Sequence, residues 1–234
     1  DLDTMAAAHV NTIRVGEFAW SRFEPRDEHY EFQWLDDFIG RASKHGIRLL
    51  LCPPLRTLPD WMVLRDPSVK LETAEGLRLE YGSRYSFCIN HPLVQNKGRA
   101  LATAMATQYE REKVIAGWHL DNEHGDEPDC HCPVCRAKFQ AWCKRQYASI
   151  EALNDAWGLA FWGLQFGQWG HIPTPRPTKT WHSPGHLQAW RAFRSACTIE
   201  AMVLQAEAVH PHLRGDQFIT TNYQPMWNPR TDYF

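Results

Sequence analysis

The chain has 234 residues, 44% of them hydrophobic, which is enough for a sizeable core in one large domain or two small ones. A formal net charge of −2 and a sequence pI near 6.7, with lysine and arginine scattered along the chain, argue against nucleic acid or an anionic membrane as a partner. No apolar run approaches the ~18 residues of a membrane-spanning helix, and the first residues lack the pattern of a signal peptide. These properties predict a cytoplasmic protein and leave a small neutral substrate open.

Four short apolar runs predict β-strands, and helical patterns separate them. The strands are predicted over 10–15, 47–52, 114–120 and 217–222. Helices are predicted up to residue 9, over 34–42, 93–112, 134–147 and 149–158, and over 186–209. Strands with little polar alternation, separated by helices, predict an α/β protein whose parallel sheet is covered by helices on its outer face.

The loops that follow the strands are long, whereas the connections from helix to strand are short. Segments 55–92 and 158–185 show little periodicity and are predicted to be long functional loops. This asymmetry is typical of a barrel or open sheet with its site at the carboxyl ends of the strands. The residues predicted to be neighbours on that rim are Glu17, Pro53, Asn122 and Asn222.

Glu123 is the candidate catalytic acid. It follows the third predicted strand directly after Asn122, so its carboxyl group could protonate a leaving oxygen while the amide binds a substrate hydroxyl. Segment 121–125 also has good turn chemistry, so a solvated turn without a catalytic role stays open. Arg14, at the end of the first strand, is predicted either to face this rim or to face solvent.

Three of the seven cysteines lie close together in one loop: Cys130, Cys132 and Cys135. This uneven distribution favours a metal site over a disulfide framework. Structural zinc takes four ligands in a closed tetrahedron, so a fourth must come from elsewhere, with Cys88 the best candidate and His124 or His131 as alternatives. A loop without metal, a disulfide and an iron–sulfur cluster also stay open.

Five motifs occur in order along the chain. They are RVGEFAWSRFEP at 14–25, GSR at 82–84 ahead of Cys88, GWHLDNEHG at 117–125, the cysteines of 130–135, and AWGLAFW at 156–162. Together they resemble the catalytic domain of the glycoside hydrolase family 42 β-galactosidases. The resemblance implies a (β/α)8 TIM barrel that hydrolyses terminal β-D-galactosides with retention, using one glutamate as acid/base and another as nucleophile.

The resemblance also implies roles for single residues. Glu123 matches the acid/base, and Asn122 matches the residue that contacts the sugar at its 2-hydroxyl. Arg14 and Arg84 match arginines of the substrate site, and Trp162 matches an aromatic wall of the galactose pocket.

A metal and an assembly follow from the same resemblance. The matching zinc ligands are Cys88, Cys130, Cys132 and Cys135, which implies a structural Zn²⁺, although some members lack the metal. The expected partners are a β-galactoside or galacto-oligosaccharide and, for the full-length protein, further copies of itself in a homotrimer. Neither nucleic acid nor a membrane is expected.

The chain is shorter than the family pattern requires. Its strands match the second to the fifth, about four of the eight β/α units, so residues 1–234 are expected to form an incomplete (β/α)8 glycosidase catalytic domain. The first strand, the C-terminal strands and the nucleophile would then lie outside it, and neither Glu17 nor Glu24 matches the nucleophile's position. Two alternatives stay open: a carbohydrate-binding, zinc-stabilised scaffold without catalysis, and a related barrel glycosidase for another sugar.

Overall fold

The fold is built around a parallel sheet. The computed structural model describes residues 1–125 and 128–223, and the strands found there are β1 (Thr12–Val15), β2 (Arg48–Leu51), β3 (Ile115–His119) and β4 (Phe218–Thr220). They pair in chain order, and each pairing is parallel. The prediction of four parallel strands is confirmed, although each strand is shorter than the apolar run that predicts it.

Helices lie before and between these strands. They are α1 (Leu2–Ala7), α2 (Trp20–Phe23), α3 (Gln33–Lys44), α4 (Asp60–Arg65), α5 (Pro92–Gln108), α6 (Pro133–Gln146), α7 (Ile150–Ala156) and α8 (Pro184–Val209). Local chemistry explains where two of them begin. The His91 ring accepts a hydrogen bond from the Leu93 amide ahead of α5, and the Ser149 hydroxyl accepts one from the Ala152 amide at the start of α7.

The loop prediction for segment 55–92 needs correction. This segment contains α4 and a 3-10 turn over Pro67–Val69, and the loop after β1 contains α2. Both helices are too short to show a helical period, and they form because tertiary packing buries Met62 in α4 and Trp20 and Phe23 in α2. Segment 158–185 is irregular as predicted, apart from two 3-10 turns and its last two residues, which begin α8.

Two apolar clusters hold the chain together. The larger one surrounds the sheet, where all residues of β3 are buried, as expected for a strand covered on both faces. The second lies among α6, α7 and α8 and is centred on Phe139, Trp157, Trp190 and Phe193. None of the helices in the described parts of the chain combines the length and the apolar character needed to cross a bilayer.

Candidate active site

Glu123 lies just beyond the carboxyl end of β3, in a turn with an unusual backbone. Asp121 and Glu123 both adopt left-handed φ angles, 47° and 46°, which residues other than glycine rarely do unless their surroundings hold them. The Glu123 side chain is 31% exposed, and its Oε2 accepts a hydrogen bond from Nη1 of Arg84 at 3.2 Å. The carboxyl group is therefore both anchored and accessible to a ligand.

Asn122 connects the ends of three strands. Its Oδ1 accepts hydrogen bonds from Nη2 of Arg14 at 3.4 Å and from Nδ2 of Asn222 at 3.3 Å. Oδ1 of Asn222 in turn accepts from the backbone amide of Glu123 at 3.2 Å. Side chains at the carboxyl ends of β1, β3 and β4 thus meet at one edge of the sheet, as the long loops after the strands predict.

Arg14 lies at the centre of this arrangement. Its guanidinium forms an ion pair with Glu17 and donates to Nε2 of His119 at 3.1 Å. Nδ1 of His119 lies 2.7 Å from the carbonyl oxygen of Asp121, which can only accept, so the ring is neutral and carries its proton on Nδ1. Burial, together with the neighbouring Arg14 charge, lowers the pKa of His119 and favours the same state.

Glu17 shares the electrostatic environment of Glu123. Burial raises the pKa of Glu17, the Arg14 guanidinium opposes that rise, and the Glu123 carboxylate adds to it. The preceding Gly16 has φ 101°, and a Cβ atom there would lie 2.8 Å from the carbonyl oxygen of Cys52. Only glycine fits this close approach between the ends of β1 and β2, which places Glu17 on the rim.

Arg84 reaches Glu123 from the loop before α5. Its guanidinium carbon lies 5.7 Å from the ring centre of Phe18 and 5.1 Å from that of Tyr85. Burial raises the pKa of Tyr85 to about 12, so this phenol stays neutral beside the arginine. We call the group of Arg14, Glu17, Arg84, Asn122 and Glu123 the strand-end site.

Two buried residues beneath the strand-end site are absent from the sequence-based prediction. Nε of Arg56 forms an ion pair with Oδ2 of Asp121 at 2.8 Å, and both side chains are almost completely buried. Oδ1 of Asp121 also accepts from the backbone amide of Leu55 at 3.2 Å. The one available signal is an arginine within the apolar stretch 53–59, where an unpaired charge would be costly to bury.

The second candidate site is the cysteine cluster, formed by Cys88, Cys130, Cys132 and Cys135. Their Sγ atoms all lie within 4.8 Å of one another, with 3.4 Å from Cys88 to Cys135 and 3.6 Å from Cys132 to Cys88. A tetrahedral ion with metal–sulfur bonds of about 2.3 Å needs sulfur atoms roughly 3.8 Å apart, so the geometry fits a four-thiolate metal site. All four thiols are free rather than disulfide-bonded.

The surroundings of Cys132 suit a thiolate. Cys132 precedes the first turn of α6, where the helix dipole favours negative charge, and hydrogen bonds from the neighbouring cysteines lower the pKa of its thiol. Nδ2 of Asn90 lies 3.4 Å from Sγ of Cys135 and donates to it. The cluster could therefore hold a metal ion.

Neither alternative histidine belongs to the cluster. The His124 ring accepts from Arg56 and donates from Nε2 to the Leu120 carbonyl at 2.9 Å, so both ring nitrogens are engaged elsewhere. The His131 ring stacks on Trp190 with ring centres 5.0 Å apart. The geometry thus groups Cys88 with the three loop cysteines, as the sequence favours.

Trp162 lies in a different aromatic group. The residue is 56% exposed, and its ring centre lies 4.7 Å from that of Phe161 and 5.1 Å from that of Trp181. Its described ring contacts are to these two side chains, not to the strand-end site. A role for Trp162 at the sugar stays a prediction.

The parallel sheet, its helices and the polar groups at its strand ends define an α/β protein with its candidate site at the carboxyl ends of the strands. The sequence profile of the glycoside hydrolase 42 family, described as beta-galactosidase, matches residues 1–234. The chain therefore belongs to this family, as its motifs indicate.

Comparison with individual proteins supports the same family. The chain is 34% identical to the beta-galactosidase Bga of Halorubrum lacusprofundi and 34% identical to a beta-galactosidase of Thermus thermophilus, each over 95% of this chain. The solved structure of the polyextremophilic beta-galactosidase from Halorubrum lacusprofundi superposes on 99% of the chain with a TM-score of 0.93 at 33% identity, and the match covers 35% of that structure. The aligned part makes up 32% and 35% of the two curated relatives, so the chain spans about a third of their length.

Proposed function

We propose that the complete gene product is a retaining β-galactosidase that cleaves terminal β-D-galactosides by a two-carboxylate mechanism, with Glu123 as its acid/base. One observation carries the proposal. The chain belongs to this family, and the accessible carboxyl group of its Glu123 lies at the end of a strand. Arg84 lies on one side of this group, and the hydrogen-bonded side-chain amides of Asn122 and Asn222 lie on the other. This is the placement that a proton donor to a glycosidic oxygen requires.

The neighbouring polar groups would bind the sugar. Because Oδ1 of Asn122 is engaged by Arg14 and Asn222, its amide NH₂ is the group that would donate to the 2-hydroxyl. Arg14 and Arg84 would donate to further sugar oxygens, and Trp162 would form an aromatic wall against the ring face. The substrate class is a β-galactoside or galacto-oligosaccharide.

In the proposed reaction, Glu123 protonates the leaving oxygen while a second glutamate attacks the anomeric carbon. Water then releases the sugar with Glu123 as the base, which preserves the anomeric configuration. Retaining enzymes hold their two carboxyl groups roughly 5 to 5.5 Å apart. Glu17 is paired with Arg14 and does not match the family's nucleophile, so we place the nucleophile outside residues 1–234.

The same proposal covers architecture and assembly. Strands β1 to β4 would be the second to fifth strands of a (β/α)8 barrel, so that residues 1–234 form part of its catalytic domain. The cysteine cluster would bind a structural Zn²⁺ that fixes the loop before α6. The complete protein would form a homotrimer in the cytoplasm.

Hydrolysis of aryl glycosides by the complete gene product tests the proposal. We expect turnover of phenyl β-D-galactoside, and a loss of about 1,000-fold in kcat/KM for Glu123→Gln, since general acid catalysis typically contributes that order of rate. Glu207→Gln is the matched control, because Glu207 forms an exposed ion pair with Arg99. Unchanged turnover in Glu123→Gln would contradict the proposal. Hydrolysis of arabinosides or fucosides but not of β-galactosides would show that the enzyme acts on another sugar.

A further inference from the structure

Arg56 lies beneath the turn that carries Glu123. Its side chain is fully buried, in the loop that follows β2, whereas the turn follows β3. Burying a guanidinium costs free energy unless its N–H groups are hydrogen-bonded. The hydrogen-bond partners of Arg56 therefore indicate its role.

The partners of Arg56 lie on both sides of Glu123. Nε pairs with the Asp121 carboxylate at 2.8 Å and also donates to the backbone carbonyl of Asn122 at 3.2 Å. Nη2 donates to Nδ1 of His124, which is an acceptor because Nε2 of the same ring donates to the Leu120 carbonyl. One rigid fork therefore holds the residues before and after Glu123.

The backbone of this turn needs surrounding contacts to keep its conformation. Asp121 and Glu123 have φ angles of 47° and 46°, a backbone conformation that side-chain-bearing residues keep only where surrounding contacts impose it. The planar guanidinium presents five N–H donors in a fixed geometry, which suits acceptors pointing from different directions. A lysine ammonium carries the same charge but cannot reproduce that fork.

We infer that Arg56 is a positioning residue for Glu123: its guanidinium fixes the backbone of the 121–124 turn so that the carboxyl group reaches the glycosidic oxygen. The inference rests on the proposed acid/base role of Glu123 and adds a residue that the family resemblance does not assign. It predicts a defect specific to proton donation. A displaced acid slows departure of a basic leaving group and leaves an already acidic one almost unaffected.

The test compares two leaving groups in the complete enzyme. For Arg56→Lys we expect kcat/KM on phenyl β-D-galactoside to fall about 100-fold, the order expected for a displacement of about 1 Å. On 2,4-dinitrophenyl β-D-galactoside, whose leaving group needs no proton, we expect a fall of less than about 3-fold. Glu123→Gln, measured in parallel, should show the same dependence with a larger loss.

Arg214→Lys is the matched control for a purely structural defect. Arg214 donates to the backbone carbonyls of Glu112 at 2.9 Å and Ile115 at 3.0 Å, near the opposite end of β3 from Glu123. We expect its replacement to change kcat/KM by the same factor for both substrates. If Arg56→Lys also lowers kcat/KM by the same factor for both substrates, the positioning role is wrong.

One further variant keeps the test decisive. If Arg56→Lys does not accumulate as folded protein, His124→Phe replaces it, because phenylalanine keeps a ring of similar shape and removes the acceptor for Arg56, while the Leu120 carbonyl still accepts from the Thr221 hydroxyl. Its loss should be smaller but again greater for the phenyl substrate, and equal losses overturn the inference. A Glu123→Gln variant without leaving-group dependence overturns the acid role of Glu123 itself, and this inference with it.

Discussion

The strand-end site and the cysteine cluster belong to the same chain but are built differently. In the strand-end site, charged and amide groups at the carboxyl ends of separate strands bind one another, and a carboxyl group stays accessible. The cysteine cluster packs with the second apolar cluster, around Phe139, Trp157 and Trp190. We therefore expect substitutions in the strand-end site to change catalysis and substitutions in the cysteine cluster to change stability.

Removing one ligand of the cysteine cluster should have the largest effect on stability. For Cys132→Ser we expect loss of about one zinc ion per chain and about 3 kcal/mol of stability, a fall in Tm of about 6–12 °C, because metal binding energy is folding energy. Elemental analysis and thermal unfolding measure the two effects, while kcat of the folded fraction should change little. Cys143→Ser is the control for metal content, since Cys143 is buried in α6 outside the four-cysteine group. Full metal content in Cys132→Ser would contradict the four-thiolate site.

Arg14→Lys should show the opposite pattern. Lysine cannot bridge the partners that the guanidinium binds, which include Glu17, His119 and Asn122. We expect kcat/KM on phenyl β-D-galactoside to fall about 100-fold, which corresponds to about 2.7 kcal/mol of transition-state stabilisation. Tm should move by less than about 2 °C. Arg99→Lys, in an exposed ion pair with Glu207, should leave both quantities unchanged. A large fall in Tm with intact kcat/KM would erase the distinction between the two regions.

His186 makes the second apolar cluster sensitive to acid. Burial lowers the pKa of His186 to about 4, and its ring stacks on Trp157. As the pH falls below about 6.5, the unfolded chain takes up a proton that the folded state binds only near pH 4, so stability is lost over that window. From pH 7 to pH 5 this amounts to about 2 kcal/mol.

The matched variant for this effect is His186→Gln. Nε2 of His186 lies 3.0 Å from the Pro173 carbonyl, and a glutamine amide can make the same hydrogen bond without titrating. Denaturant unfolding at several pH values should therefore give a shallower decline for His186→Gln than for the wild type. Parallel declines would show that this histidine does not account for the acid sensitivity.

The predictable parts of the molecule are those whose signal is local in sequence. Apolar runs locate all four strands, and three cysteines within six residues are enough to indicate a metal loop. Glu123 and Asn122 are recognisable because they follow such a run directly. The helices α2 and α4 are not predictable because each is shorter than two turns, and packing rather than periodicity stabilises them.

The unpredicted parts depend on contacts between distant segments. Arg56 is one arginine in a proline-containing loop, and no neighbour in sequence indicates that it pairs with Asp121. In the same way, no sequence pattern links His119 to Arg14, or predicts left-handed backbone at both acidic residues of the turn. Such features arise from how the strand ends meet, which no local sequence pattern indicates.

The central claim, that Glu123 is the acid/base of a retaining enzyme, is tested most directly by azide rescue of Glu123→Ala in the complete gene product. With 2,4-dinitrophenyl β-D-galactoside the nucleophile still forms the glycosyl-enzyme, and azide then replaces the water that Glu123 would have activated. The account predicts a rate that rises with azide concentration and a β-galactosyl azide product identified by NMR. An α-galactosyl azide would assign Glu123 as the nucleophile, and wild-type turnover without rescue would remove it from the reaction.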